Sequence, residues 1–306
     1  MFGDLPSTWF TSAPDWRWLI IGYFFIGGLA GGSFFLAALI DLFGRPQDRP
    51  LARLGYYIAF PAVLASGVLL ILDLSRPLRF WHMLLESNTW QPMFKWYSPM
   101  STGSWALLVF GAFAFAAFLA ALADSGRVRW DWARRLRPPG VAGTFVAVGG
   151  GLLGFFVAGY TGILLAVTNR PIWADTTLLG LTFLISAAST SAALIVLLAW
   201  RRRALAPGVQ ALTRFDSIAL VFELIALAAL VASLGGAARG WFNAWGVLLV
   251  LGVVGVGILV PLLLHLRTGT FRQGYAVPVA AVLVLIGGFV LRVVVVLSSE
   301  GAGVLV

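Results

Sequence analysis

Eight apolar runs, each long enough to cross a lipid bilayer as a helix, follow one another along this chain of 306 residues. They cover 18–42, 54–74, 100–123, 141–167, 177–200, 215–235, 245–266 and 275–297. A hydrocarbon core about 30 Å thick takes roughly 20 residues of helix to cross. Backbone groups in lipid must be paired within a helix or a closed barrel, and these runs lack the period-two alternation of barrel strands, so they are read as helices. The expected fold class is all-α integral membrane with eight transmembrane helices. With 60% hydrophobic and 11% charged residues, the chain is far from the balance of a soluble domain. The connections are short apart from 75–99 and 124–140, so one polytopic membrane domain is expected over 1–306. Eight spans fall naturally into two four-helix bundles, here 1–170 and 171–306.

The formal charge of +9 sits in the connections. Arg45, Arg49, Arg53, Arg127, Arg129, Arg134, Arg135 and Arg137 follow the first and third runs, and Arg201, Arg202, Arg203, Arg214, Arg267 and Arg272 follow the fifth and seventh. On the other side stand Arg17, Arg76, Arg79, Lys95, Arg170 and Arg239. The positive-inside rule then places both termini outside the cytoplasm. That distribution also reads the charge as topology signalling, with no nucleic-acid partner expected. Met1 to Asp15 has no basic n-region, so no cleavable signal peptide is expected and the first helix inserts as its own signal.

The absence of cysteine and the presence of only two histidines, His82 and His265, remove several functions. There is no thiolate-bound iron–sulfur cluster and no cysteine zinc site. The two histidines lie at opposite ends of their spans, so one haem held by both is excluded. No metal site is expected, and any redox role needs a diffusible cofactor and a partner subunit.

Polar chemistry gathers at the end of the second run, in Asp73-Leu-Ser-Arg-Pro-Leu-Arg-Phe-Trp-His82. An ionisable cluster at the edge of hydrocarbon is costly unless partners or a ligand satisfy it. Two uses remain open: a structural ion pair of Asp73 with Arg76 or Arg79, or a ligand and proton site that His82 could serve near neutral pH. Tyr23 and Tyr160 lie at the same depth. They belong either to an interfacial tyrosine belt or to a pocket among the first, second and fourth helices. An apolar slot with hydroxyl donors below a charged rim suits a quinone. The loop 75–99 adds Trp81, Trp90, Trp96 and Tyr97, on which a partner could sit.

Glu223 and Arg292 lie within the sixth and eighth runs, with Ser186, Ser189, Thr190 and Ser191 in the fifth. They form either a partial proton relay or separate residues whose hydroxyls bond back to their own helix. Asp41, Asp216 and His265 lie at helix ends, where snorkelling or capping accounts for them. Strings such as Gly27-Gly28-Leu-Ala-Gly31-Gly32 serve close helix packing.

Together, Gly27–Ser33, Asp73–His82, Ser98-Pro-Met-Ser-Thr-Gly-Ser-Trp105, Tyr160-Thr-Gly-Ile-Leu-Leu-Ala166 and Ser186-Ala-Ala-Ser-Thr190 resemble the NrfD/PsrC family, over essentially all eight spans. That family is the quinone-binding membrane subunit of polysulfide-reductase-type molybdenum complexes. The resemblance implies two four-helix bundles, no haem, and a menaquinone or ubiquinone site near the outer face. It also implies a docked ferredoxin-like iron–sulfur subunit that in turn binds a molybdopterin catalytic subunit. Tyr160 would contact the quinone oxygen, and Asp73, Arg76 and His82 would line or order the same region. Where some members place a first-helix histidine, the present sequence has Tyr23, which donates a hydrogen bond but accepts a proton poorly.

The expectation is therefore a multi-pass subunit of a respiratory complex in a bacterial or archaeal cytoplasmic membrane, surrounded by membrane lipid. Its quinone-binding candidates are Tyr23, Asp73, Arg76, His82 and Tyr160, and its proton-transfer candidates are Asp73, Ser189, Thr190, Glu223 and Arg292. A secondary transporter or a purely structural anchor are the alternatives.

Overall fold

The computed structural model describes residues 16–267 and 275–302. The segment 1–15 and Arg272 of the charge pattern lie outside the described residues. Among the described residues, eight helices are long and apolar enough to cross a membrane: α1 (Trp18–Phe43), α2 (Arg49–Asp73), α3 (Pro99–Asp124), α4 (Val141–Ala166), α5 (Leu179–Ala199), α6 (Ala206–Leu234), α7 (Ala244–Leu266) and α8 (Ala276–Ala302). No strand is present among the described residues.

Local signals set several helix starts. Ser98 caps α3 by accepting the Ser101 amide, with Pro99 in the first turn, where its missing N–H costs nothing. Asn243 accepts the Trp245 amide at the start of α7. The middle of α7, Leu249–Leu259, widens into π turns. There Gly257 lies so close to Gly287 of α8 that a Cβ on either would strike the other backbone. Small residues thus let helices touch where apolar driving force between them is absent.

Packing joins α1 to α2, α2 to α3, α3 to α4 and α4 back to α1, closing one ring. The pairs α5 with α6, α6 with α7, α7 with α8 and α8 with α5 close another. The rings meet mainly through α5, which packs on both α1 and α4. Gly31 of α1 lies on the Gly154 carbonyl of α4, and Gly32 on the Ala187 carbonyl and Ser191 hydroxyl of α5. The adjacent glycines therefore serve two different neighbours.

At the arginine-rich end a clamp replaces the helix-end capping expected of Asp41. Arg137, in the connection before α4, is 5% exposed. Its Nε and Nη2 donate to the two carboxylate oxygens of Asp41 at 2.9 and 2.6 Å. Nη1 donates to Asp124 at the end of α3, and Nη2 also reaches the Arg49 carbonyl. Burial disfavours the guanidinium charge, yet the hydrogen bond and charge of Asp41 and the charge of Asp124 outweigh it and raise its pKa. Arg137, counted in the sequence as a topology signal, ties together the ends of α1, α2 and α3.

Two helix starts differ from the hydropathy runs. Helix α6 begins nine residues before Phe215, because Ala206–Arg214, less apolar than the run after it, is already helical with Pro207 in its first turn. Asp216 is therefore a third turn into α6 and 2% exposed, so helix-end snorkelling does not describe it. Likewise α2 begins at Arg49, five residues before its apolar run.

Candidate functional site

A cavity of about 590 Å³ lies among α1, α2, α3 and α4 where Asp73 ends α2. That volume falls in the range of small-molecule sites. Tyr23 of α1, Asp73 of α2 and Tyr160 of α4 line it together, with Ser104 of α3. Its other walls are almost wholly apolar, including Val63, Leu64, Val68, Leu107 and Leu108. Phe80, Met83 and Leu84 cover it from the turn that follows α2.

The resemblance-based candidates do not all reach this cavity. Arg76 and His82 are not among its lining residues. Arg76 is exposed at the start of the turn Pro77–Met83. His82 lies against Trp81, ring centroids 3.9 Å apart, and Trp81 stacks in turn on Trp90 at 5.0 Å. The turn thus points apolar side chains into the cavity and carries its charges at the rim.

Tyr160 is held from three sides. Its ring stacks on Phe156, and its hydroxyl donates to the Pro99 carbonyl at 2.6 Å. The ring passes directly over Gly103, where a Cβ would fall inside the envelope of its Cζ and Oη. Because Pro99 and Gly103 are one turn apart on α3, the same helix start supplies both the acceptor and the space. With its proton on Pro99, the phenol oxygen retains lone pairs that can accept a hydrogen bond from a ligand hydroxyl. Tyr23 is 2% exposed beside Tyr160 and packs its ring on Phe24, centroids 5.4 Å apart.

A second polar group is buried among α5, α6 and α8. Arg292, fully buried, donates through Nη1 to the Ser186 hydroxyl and the Gly288 carbonyl, both at 2.7 Å. Its charge lies over the rings of Phe183 and Phe25, at 5.1 and 5.9 Å from their centroids. Its Nε has no partner. Glu223 lies near the same Ser186 and within reach of the Arg292 charge. Nearer the arginine-rich end, Ser189 donates to Asp216 at 2.6 Å. Asp216 and Glu223, seven residues apart, share one face of α6. Thr190 stands aside, since its hydroxyl bonds back to the Ser186 and Ala187 carbonyls. The sequence signal for Asp216 was its heptad spacing from Glu223. Gly103 lies within the Ser98–Trp105 motif, but nothing in the sequence marks it as the seat of the Tyr160 ring.

Among the described residues no group of three or more His, Cys, Asp or Glu could hold a metal ion. The cavity instead suits a planar amphiphile, with hydroxyls and a carboxylate at one end and hydrocarbon along the rest.

A family model described as polysulphide reductase, NrfD, matches residues 11–300 of the chain. The C component of the polysulfide reductase of Wolinella succinogenes is 29% identical over 307 aligned residues, covering 90% of this chain and 92% of that protein. Protein NrfD of Escherichia coli K12 is 27% identical over 282, covering 81% and 83%. A shorter match, 33% identical over 75 residues, relates 24% of this chain to 18% of the C component of the selenate reductase of Mesobacillus selenatarsenatis.

Proposed function

This chain belongs to the polysulphide reductase NrfD family, and on that premise we propose that it is the quinone-reactive membrane subunit of a respiratory oxidoreductase complex. The observation that carries the reading is the cavity uniting Tyr23, Asp73 and Tyr160 over an apolar slot. A bound menaquinol or ubiquinol supplies two electrons and two protons and leaves as the quinone, and the reverse reaction takes them up. Tyr160 holds one head-group oxygen by accepting a hydrogen bond from its hydroxyl while the phenol's own O–H donates to the Pro99 carbonyl. For the oxidised ring the phenol turns its proton from Pro99 to the ring carbonyl. Asp73 exchanges protons with the rim, and Tyr23 presses on the ring face from α1.

The electrons pass to a ferredoxin-like iron–sulfur subunit seated on the Asp73 end. Exposed Leu78, Trp96 and Tyr97 and the exposed cations Arg76 and Arg79 supply the contact there. A molybdopterin catalytic subunit lies beyond it, as the relatives named for polysulfide and selenate reductases suggest. In this arrangement the two helical rings are two four-helix bundles, with the Asp73 end and both termini outside the cytoplasm. Ser189, Asp216, Glu223, Ser186 and Arg292 form the second bundle's candidate proton route, which Thr190 borders.

The test is quinol turnover by the purified complex carrying Tyr160→Phe or Asp73→Asn. Loss of one catalytic hydrogen bond or proton acceptor lowers kcat/KM by about 10²-fold. Wild-type turnover in both variants would contradict the head-group assignment.

A further inference from the structure

The cavity has a direction. Its polar groups, Tyr23, Asp73, Ser104 and Tyr160, collect at one end. From Asp73 it continues along α2 to Leu64, nine residues or about 14 Å of helix, and no polar side chain lines that inner end. Leu64, Val68 and Leu108 line the cavity and are also 54%, 55% and 51% exposed. The inner end therefore opens sideways between α2 and α3, toward the lipid, rather than toward either helix end.

Two glycines frame this opening, Gly67 on α2 and Gly111 on α3. Both line the cavity, and an added Cβ at either would meet nothing within 4 Å. At Gly31, Gly32 and Gly257, by contrast, glycine makes room for a neighbouring helix. Gly67 and Gly111 make room for no part of the chain. Glycine in a helix interior costs about 1 kcal/mol relative to alanine, and here no protein packing offsets that cost.

We propose that the gap between α2 and α3, framed by Gly67 and Gly111, is a side portal holding the polyprenyl tail of a long-chain quinone whose ring lies at Tyr23 and Tyr160. This rests on the quinone reading and adds tail recognition to it. The amphiphile's orientation follows from the cavity's own polarity, with its ring at the Asp73 end and its tail leaving near Leu64 and Leu108. A head group entering from solvent would need no lateral opening.

The test uses the intact complex carrying Gly67→Leu or Gly111→Leu, with Leu251→Phe on the exposed face of α7 as control. Affinity for quinones with a long polyprenyl tail and with a short one is read by tryptophan fluorescence quenching, since Trp16 lines the cavity. The same pair is compared in kcat/KM. The expected result is a fall of about tenfold in the long-over-short ratio by both readouts, with unfolding midpoints no lower than that of the parent and the control unchanged. An unchanged ratio, as would follow if a phospholipid acyl chain fills the gap, overturns the portal and leaves the ring site standing. Absence of binding and turnover for both quinones in the unmodified complex overturns the ring site and the portal together.

Discussion

Arg137→Met destabilises the folded chain by about 3 to 5 kcal/mol, the cost of removing one partner from a buried ion pair. The reason lies in what remains. The Asp41 side chain is 1% exposed and loses both of its guanidinium bonds, whereas that of Asp124 is 31% exposed and keeps Arg53 at 3.3 Å. Asp41 therefore bears the desolvation penalty, and Asp124 relaxes into water. The Arg49 carbonyl also loses its donor, so the ends of α1, α2 and α3 loosen together. Thermal unfolding in detergent reads the effect as a lowered midpoint. Adding Asp41→Leu to the same protein recovers most of the loss, because an apolar pair leaves no buried charge behind. An unchanged midpoint in the single variant would show that the clamp carries no stability.

Gly103→Ala has the second large effect, this time on turnover. Its Cβ occupies space now filled by Cζ and Oη of Tyr160, and the ring is backed by Phe156. The phenol must leave its place, which breaks its bond to Pro99 and misdirects it within the cavity. A displacement of about 1 Å at a positioning group costs roughly 10²-fold in rate, so quinol kcat/KM falls to the level of Tyr160→Phe. Combining Gly103→Ala with Tyr160→Phe adds little further loss, because both changes remove the same hydroxyl contact. Multiplying losses in the double variant would instead mean that Gly103 acts independently of Tyr160.

The helices were legible because lipid imposes a single rule on the backbone: runs of about 20 apolar residues must pair their own amides. Where a helix extends past the hydrocarbon, that rule falls silent. Ala206–Arg214 is helical but its apolar residues are interrupted by Pro207, Gly208, Gln210, Thr213 and Arg214, so hydropathy alone starts α6 late and leaves Asp216 looking like a terminal residue. Asp41 and Asp124 each close an apolar run on the side where Arg137 waits, a charge pattern visible in the sequence whose pairing only the fold specifies. Around the cavity, depth counting from helix ends brought Tyr23, Asp73 and Tyr160 to one level, and they line one cavity. The resemblance assigned Arg76 and His82 to the same region, but the turn after α2 aims Phe80, Met83 and Leu84 inward instead. Gly67, Gly103 and Gly111 look alike in sequence. Only the neighbours of their absent side chains separate a packing glycine from one that keeps a space open.

The central claim is that quinone binds among α1 to α4 at the Asp73 end. Photolabelling the intact complex with a quinone carrying a photoreactive group on its ring, followed by peptide mapping, tests it most directly. The account predicts label on α4 around Tyr160 and on the ends of α2 and α3 near Asp73 and Ser104, and competition by unlabelled quinol. Competed label confined to α5 through α8 would contradict it.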